Sequence, residues 1–157
     1  STLQSLQQLL EIRLREKVRE EAGGTYGVGV STSTTRYPVN RYMIVIQFNC
    51  DPSRVSELNK IIDNEITALT KKPVEKSYIE KVRNIRLKSL EEAFQENSFW
   101  RGKLESIQLY DLDPENAFSV RSRIQATTAA TLHRAVQSYV GGATKVEAIL
   151  YPENSQE

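Results

Sequence analysis

The sequence holds one cysteine, one histidine, one methionine and one tryptophan in 157 residues, and each scarcity excludes something. With Cys50 alone no intrachain disulfide can form, so cysteine usage leaves the redox compartment unassigned. Cys50 closes an apolar run and reads as a small, inert hydrophobe. His133 lies in Thr131-Leu132-His133-Arg134-Ala135-Val136, on the polar flank of an amphipathic helix. No apolar run is long enough to offer a membrane-spanning helix, so no membrane partner is expected. Charge of one sign is missing too: 21 basic residues face 20 acidic ones, for a net charge of +1. A nucleic-acid partner would call for a basic excess, whereas Lys81, Arg83, Arg86 and Lys88 sit among Glu80, Glu91 and Glu92 as a solvated face. There is no initiator Met and no signal-peptide pattern, and a helical pattern opens the chain at once, so an excised piece of a larger protein is expected. Nor is there an internal repeat, a low-complexity segment or a dividing linker. Residues 1–157 read as one domain, with 39% hydrophobic residues, enough for one sizeable core.

What the sequence does have is concentrated near its start. Leu3, Leu6, Leu10, Leu14 and Val18 recur at helical spacing, and the charged run Arg15-Glu16-Lys17-Val18-Arg19-Glu20-Glu21 carries the helix to Gly23-Gly24. Glycine closes a helix at no steric cost in the left-handed conformation. An alternating strand follows immediately, with Tyr26, Val28 and Val30 on one face and Gly27, Gly29 and Ser31 on the other. The glycine face lets another backbone come close. The corner delivers Arg19 and Tyr26 to its two sides, which suits a ligand-facing pair. The bland alternative is a solvated cation at a helix C-terminus and a half-buried strand tyrosine.

Further along, Thr32 to Asn40 is a polar connection, and Tyr42-Met43-Ile44-Val45-Ile46-Gln47-Phe48 is apolar on both faces, as in a central strand. Asp51-Pro52 supplies a helix cap and a first-turn proline, and Val55, Leu58, Ile61, Ile62 and Leu69 mark the inner face of a helix ending near Lys72. Beyond Pro73 a longer helix places Ile79, Val82, Ile85, Leu90 and Phe94 inward and Lys76, Lys81 and Arg83 outward. Phe99 and Trp100 are expected to fill the core, with a docking surface as the alternative. Asp113-Pro114 starts another helix and Thr127 or Thr128 the last, with Leu132, Val136 and Tyr139 inward and Gly141-Gly142 stopping it. Thr144 to Leu150 is expected as a closing strand. Strands without regular βαβ alternation point to an α+β fold: two layers, an antiparallel or mixed sheet of three to four strands covered by helices on one face.

The run Val18-Arg19-Glu20-Glu21-Ala22-Gly23-Gly24-Thr25-Tyr26-Gly27-Val28 resembles the pattern hydrophobic-Arg-Glu-Glu/Lys-x-x-Gly-x-x-Tyr-x-Val in the last domain of the M16 zinc peptidases, the pitrilysin, insulin-degrading enzyme and processing-peptidase family. Bacterial periplasmic members look most similar, which leans the localisation to the periplasm. The order of helices and strands extends the likeness over nearly the whole chain, although the first strand of that domain fold is missing. The resemblance implies that Arg19 and Tyr26 bind substrate, holding a peptide backbone against a zinc ion carried by the N-terminal half of the same protein. The family's zinc motif, His-x-x-Glu-His with a further Glu, is not present here. A catalytic zinc takes about three ligands of His, Cys, Asp or Glu type, and one histidine with one cysteine cannot reproduce that set. The resemblance therefore implies no metal and no catalytic residue in this chain, zinc in the full-length protein, and a fragment inactive by itself. Gly23-Gly24-Thr25 before the tyrosine departs from many relatives and loosens the aim of Tyr26.

Two further readings stand beside that one. A non-catalytic family member would keep the domain as a peptide-binding or assembly module, and an unrelated α+β domain would match the motif by chance. A missing first strand would also leave a sheet edge open, so self-association through strands is expected.

Overall fold

The computed structural model describes residues 2–23 and 27–153. Helix α1 (Thr2–Ala22) is the axis of the molecule. Its apolar positions recur so that Leu6, Leu9, Leu10, Leu14 and Val18 are all but inaccessible, and the sheet and three other helices close over them. Strand β1 (Val28–Thr35) and strand β2 (Arg41–Phe48) pack against one side of α1, and helices α2 (Val55–Lys71), α3 (Lys76–Ala93) and α7 (Ala129–Tyr139) against the others. Each buried leucine removes an aliphatic side chain from water, a contribution of about 1.5–3 kcal/mol apiece. One continuous apolar cluster results, running from Leu3 through Val28, Leu58 and Val82 to Val136.

The strands pair antiparallel, with Val28 opposite Phe48, Val30 opposite Ile46 and Thr35 opposite Arg41. The period of two sends Val28 and Val30 inward, with Ile44, Ile46 and Phe48 of β2 packed on the same core. Gly29, Ser31, Met43 and Val45 face out, and Met43 remains 57% exposed. The expected central strand is therefore covered on one side only, and its apolar outer face is open.

Caps at the other elements follow local chemistry. Asp51 accepts a hydrogen bond from the Ser53 amide ahead of a 3-10 turn (Pro52–Arg54) that leads into α2. Asp113 does the same for the Glu115 amide at the start of α5 (Pro114–Phe118), which is followed by α6 (Val120–Gln125). Thr128 and Thr131 form a reciprocal capping box on α7.

Three expectations are corrected. Among the described residues the sheet has two strands rather than three to four. Residues 144–150 form no ladder; they are held instead along α2 by Lys145 Nζ on Asp63 at 2.7 Å and by Asn59 Nδ2 donating to Glu147 Oε1 at 2.5 Å. Val146 and Leu150 are 86% and 99% exposed there, because a strand-like sequence without an adjacent strand has nothing to pair with. Second, Phe99 and Trp100 do not fill the core. They lie on α4 (Asn97–Tyr110), which buries no residue, and form a surface cluster with Phe94 and Phe118 in which Trp100 Nε1 donates to the Phe94 carbonyl at 3.0 Å. Third, Lys81 and Arg83 are not simply outward: Lys81 reaches Glu16 of α1, and Arg83 donates to the Thr127 carbonyl.

Candidate functional site

The last turn of α1 shows why the sequence makes a corner. Gly23 adopts φ 61°, and its amide donates to the Arg19 carbonyl at 3.2 Å, a left-handed closure that a residue with a Cβ resists. The carbonyl of Ala22, three residues on, accepts from Arg54 Nη2 at 2.9 Å across 32 positions of sequence. Two of the four carbonyls left over at a helix end are thus satisfied by different means. Arg54 is itself gripped by Glu57, with Nε to Oε2 at 2.9 Å and Nη2 to Oε1 at 3.0 Å. Glu57 is held below the ordinary glutamate range by that Arg54 hydrogen bond.

Arg19 stands on this fixed end, in the last turn of α1 and exposed. The other cations of the helix are all matched to carboxylates: Arg13 to Glu65 at 2.6 Å, Arg15 to Glu11 at 2.5 Å, and Lys17 to Glu20 and Glu21 at 3.5 and 3.6 Å. Among the described residues Arg19 has no carboxylate partner. A guanidinium has five N–H donors and a permanent charge, a combination suited to a carbonyl or carboxylate brought from elsewhere. Tyr26, the other expected substrate-binding residue, lies outside the described residues, so the pairing of the two side chains rests on the motif.

Beyond the corner the outer face of the sheet continues as an open depression of about 330 Å³, lined by Gly27, Gly29, Ser31, Val45, Gln47 and Asn49 among others. A Cβ added at Gly27 would meet nothing within 4 Å, and one at Gly29 only the Gln47 carbonyl at 3.9 Å. On the inner side Gln7 ties helix to strand, donating to the Val30 carbonyl at 2.9 Å and accepting from Thr32 Oγ1 at 2.8 Å. Sequence reasoning missed Arg54 and Gln7. Both act over long sequence separation through single polar atoms, and no periodicity reports that.

As for a metal, no group of three or more His, Cys, Asp or Glu side chains among the described residues could hold one. His133 is half-buried on α7, with Nε2 3.1 Å from Gln137 Nε2, and Cys50 is a free thiol at the end of β2.

The described residues form an α+β domain built on one buried helix, with a glycine at the helix end in the left-handed conformation and one uncovered sheet face. The family profile described as "Peptidase M16 inactive domain" matches residues 1–86, more than half of the chain. The chain belongs to the M16 peptidase family, as a C-terminal domain of the inactive type. Among solved structures it is similar to the periplasmic protease PqqL from Escherichia coli, with a TM-score of 0.70 and 20% identity over 89% of this chain. That likeness is one of fold, and the chain spans 15% of the length of PqqL. No curated protein sequence matches the chain.

Proposed function

We propose that the chain is the substrate-positioning domain of a zinc-dependent M16 endopeptidase, holding peptide backbone by Arg19 and Tyr26 while the metal sits in the N-terminal half of the same protein. The observation that carries this reading is Arg19 itself, the one α1 cation without a carboxylate partner among the described residues, mounted on a helix end fixed by Gly23 and Arg54. The chain's own residues do not fit a zinc site: it has one histidine and one cysteine, and among the described residues no group of three or more His, Cys, Asp or Glu side chains completes a ligand set. Its contribution is therefore donation. A guanidinium and a phenol aimed at a peptide carbonyl stabilise charge that grows on the oxygen during attack, and they do so more in the transition state than in the bound substrate. The partners of this reading are an unstructured peptide and the zinc-bearing half. The open sheet face beside the corner gives an extended peptide room to lie.

Arg19→Ala in the intact protein tests the assignment. Weaker peptide binding with an almost unchanged thermal midpoint is the expected outcome. A merely helix-stabilising cation would instead cost about 0.3–1 kcal/mol of stability and leave binding alone.

A further inference from the structure

Arg54 is 35 positions from Arg19 and on a different element, yet its guanidinium closes the end of the helix that carries Arg19. Three observations define what it does. Its Nη2 donates to the Ala22 carbonyl at 2.9 Å, next to the Gly23 cap, on a carbonyl that α1 itself leaves without a partner. Its Nε and Nη2 are held by both oxygens of Glu57, so the fork cannot swing freely. It closes the 3-10 turn that Asp51 caps by accepting from the Ser53 amide and hydroxyl at 2.9 and 2.6 Å. The chain from β2 into α2 thus reaches back and clamps the C-terminal end of α1.

We infer that Arg54, braced by Glu57, is a positioning residue for peptide binding: it fixes the direction in which the last turn of α1 presents Arg19. A helix end without such a bond frays over its last turn, and Arg19 lies in that turn. A guanidinium there also meets the negative end of the α1 dipole, so charge and hydrogen bond act together. The inference rests on the reading of Arg19 as a peptide-binding residue given above.

The test is a double-mutant cycle in the intact protein, with affinity for a fluorescein-labelled, unstructured decapeptide read by anisotropy. Arg54→Met keeps the aliphatic stem and removes the donors; the expected loss of affinity is on the order of tenfold, the size of coupling between residues linked through a shared backbone shift. Arg54→Lys, which keeps the charge and one donor, should recover part of it and covers the case in which Arg54→Met folds poorly. In the Arg19→Ala background, Arg54→Met should weaken binding no further. Full affinity in Arg54→Met, or losses that multiply with Arg19→Ala, would overturn the positioning role while leaving Arg19 as a binding residue. Unchanged affinity in Arg19→Ala would overturn both.

Discussion

Glu16 illustrates how single polar atoms tie the layers to α1. Tyr78 Oη donates to its Oε2 at 2.6 Å and Lys81 Nζ to its Oε1 at 2.9 Å, both from α3. Burial pushes the Glu16 carboxyl up, but the hydrogen bonds from Tyr78 and Lys81 outweigh it, so its pKa lies below the ordinary 4.5. Tyr78 moves the other way, raised above 10.0 by its bond to Glu16 and by burial, against the opposing charge of Arg13. Linkage gives the signs. A depressed carboxylate contributes stability that is complete above pH 4.5 and is lost as pH falls through its lowered value. A raised phenol contributes stability that is complete below pH 10 and is lost as pH rises past it. Tyr78→Phe should therefore make both the acid and the alkaline limbs of the stability curve shallower, with urea midpoints measured from pH 3 to 11 as the check. A curve of unchanged shape would mean that the bond does not hold in solution. The neighbouring pair is more deeply placed: Glu65 is 4% exposed and bonds Arg13, which in turn lies 4.6 Å over the Tyr78 ring. Breaking a buried pair by removing one partner strands the other, at a cost of about 3–5 kcal/mol.

Elements were legible where local chemistry decides them. The 3.6 period of Leu3 to Val18 marks α1 because one stripe must be buried against several neighbours, and Asp51, Asp113 and Thr128 mark helix starts because a short side chain satisfies an exposed amide two or three residues on. Gly23 belongs to the same kind of signal, and its conformation gives a prediction. At φ 61° nothing lies within 4 Å of an added Cβ, so Gly23→Ala meets only backbone strain, worth about 1 kcal/mol and a thermal midpoint lower by about 2–4 °C. An unchanged midpoint in a melting scan would show that the cap is not held at this angle. What the sequence could not disclose is which faces find neighbours. The apolar outer positions Met43 and Val45 suggested a strand covered on both sides, and β2 is covered on one. Residues 144–150 carry a strand's composition without a strand's partner. Phe99 and Trp100 suggested core by size alone, while the side chains around them form a surface cluster on α4. In each case the missing information is tertiary. At the candidate site the same division holds: Arg19 and the glycine cap follow from the motif, whereas the Arg54 clamp comes from an element more than 30 residues away.

At the scale of the whole molecule, the function proposed above makes the chain one wall of a larger binding site. Among the described residues its helices cover one face of the sheet and leave the other face exposed. The chain belongs to the M16 peptidase family, and on the function proposed above it supplies donors rather than a metal. That division of labour predicts that the donor groups of Arg19 and Tyr26 are felt in catalysis and not in folding. The most direct measurement is steady-state cleavage of an internally quenched peptide by the intact protein carrying Tyr26→Phe, with its thermal midpoint recorded alongside. Loss of a single hydroxyl donor should lower kcat on the order of 10²-fold at an unchanged midpoint. Full turnover with a lowered midpoint would contradict the account and return the tyrosine to a purely structural role.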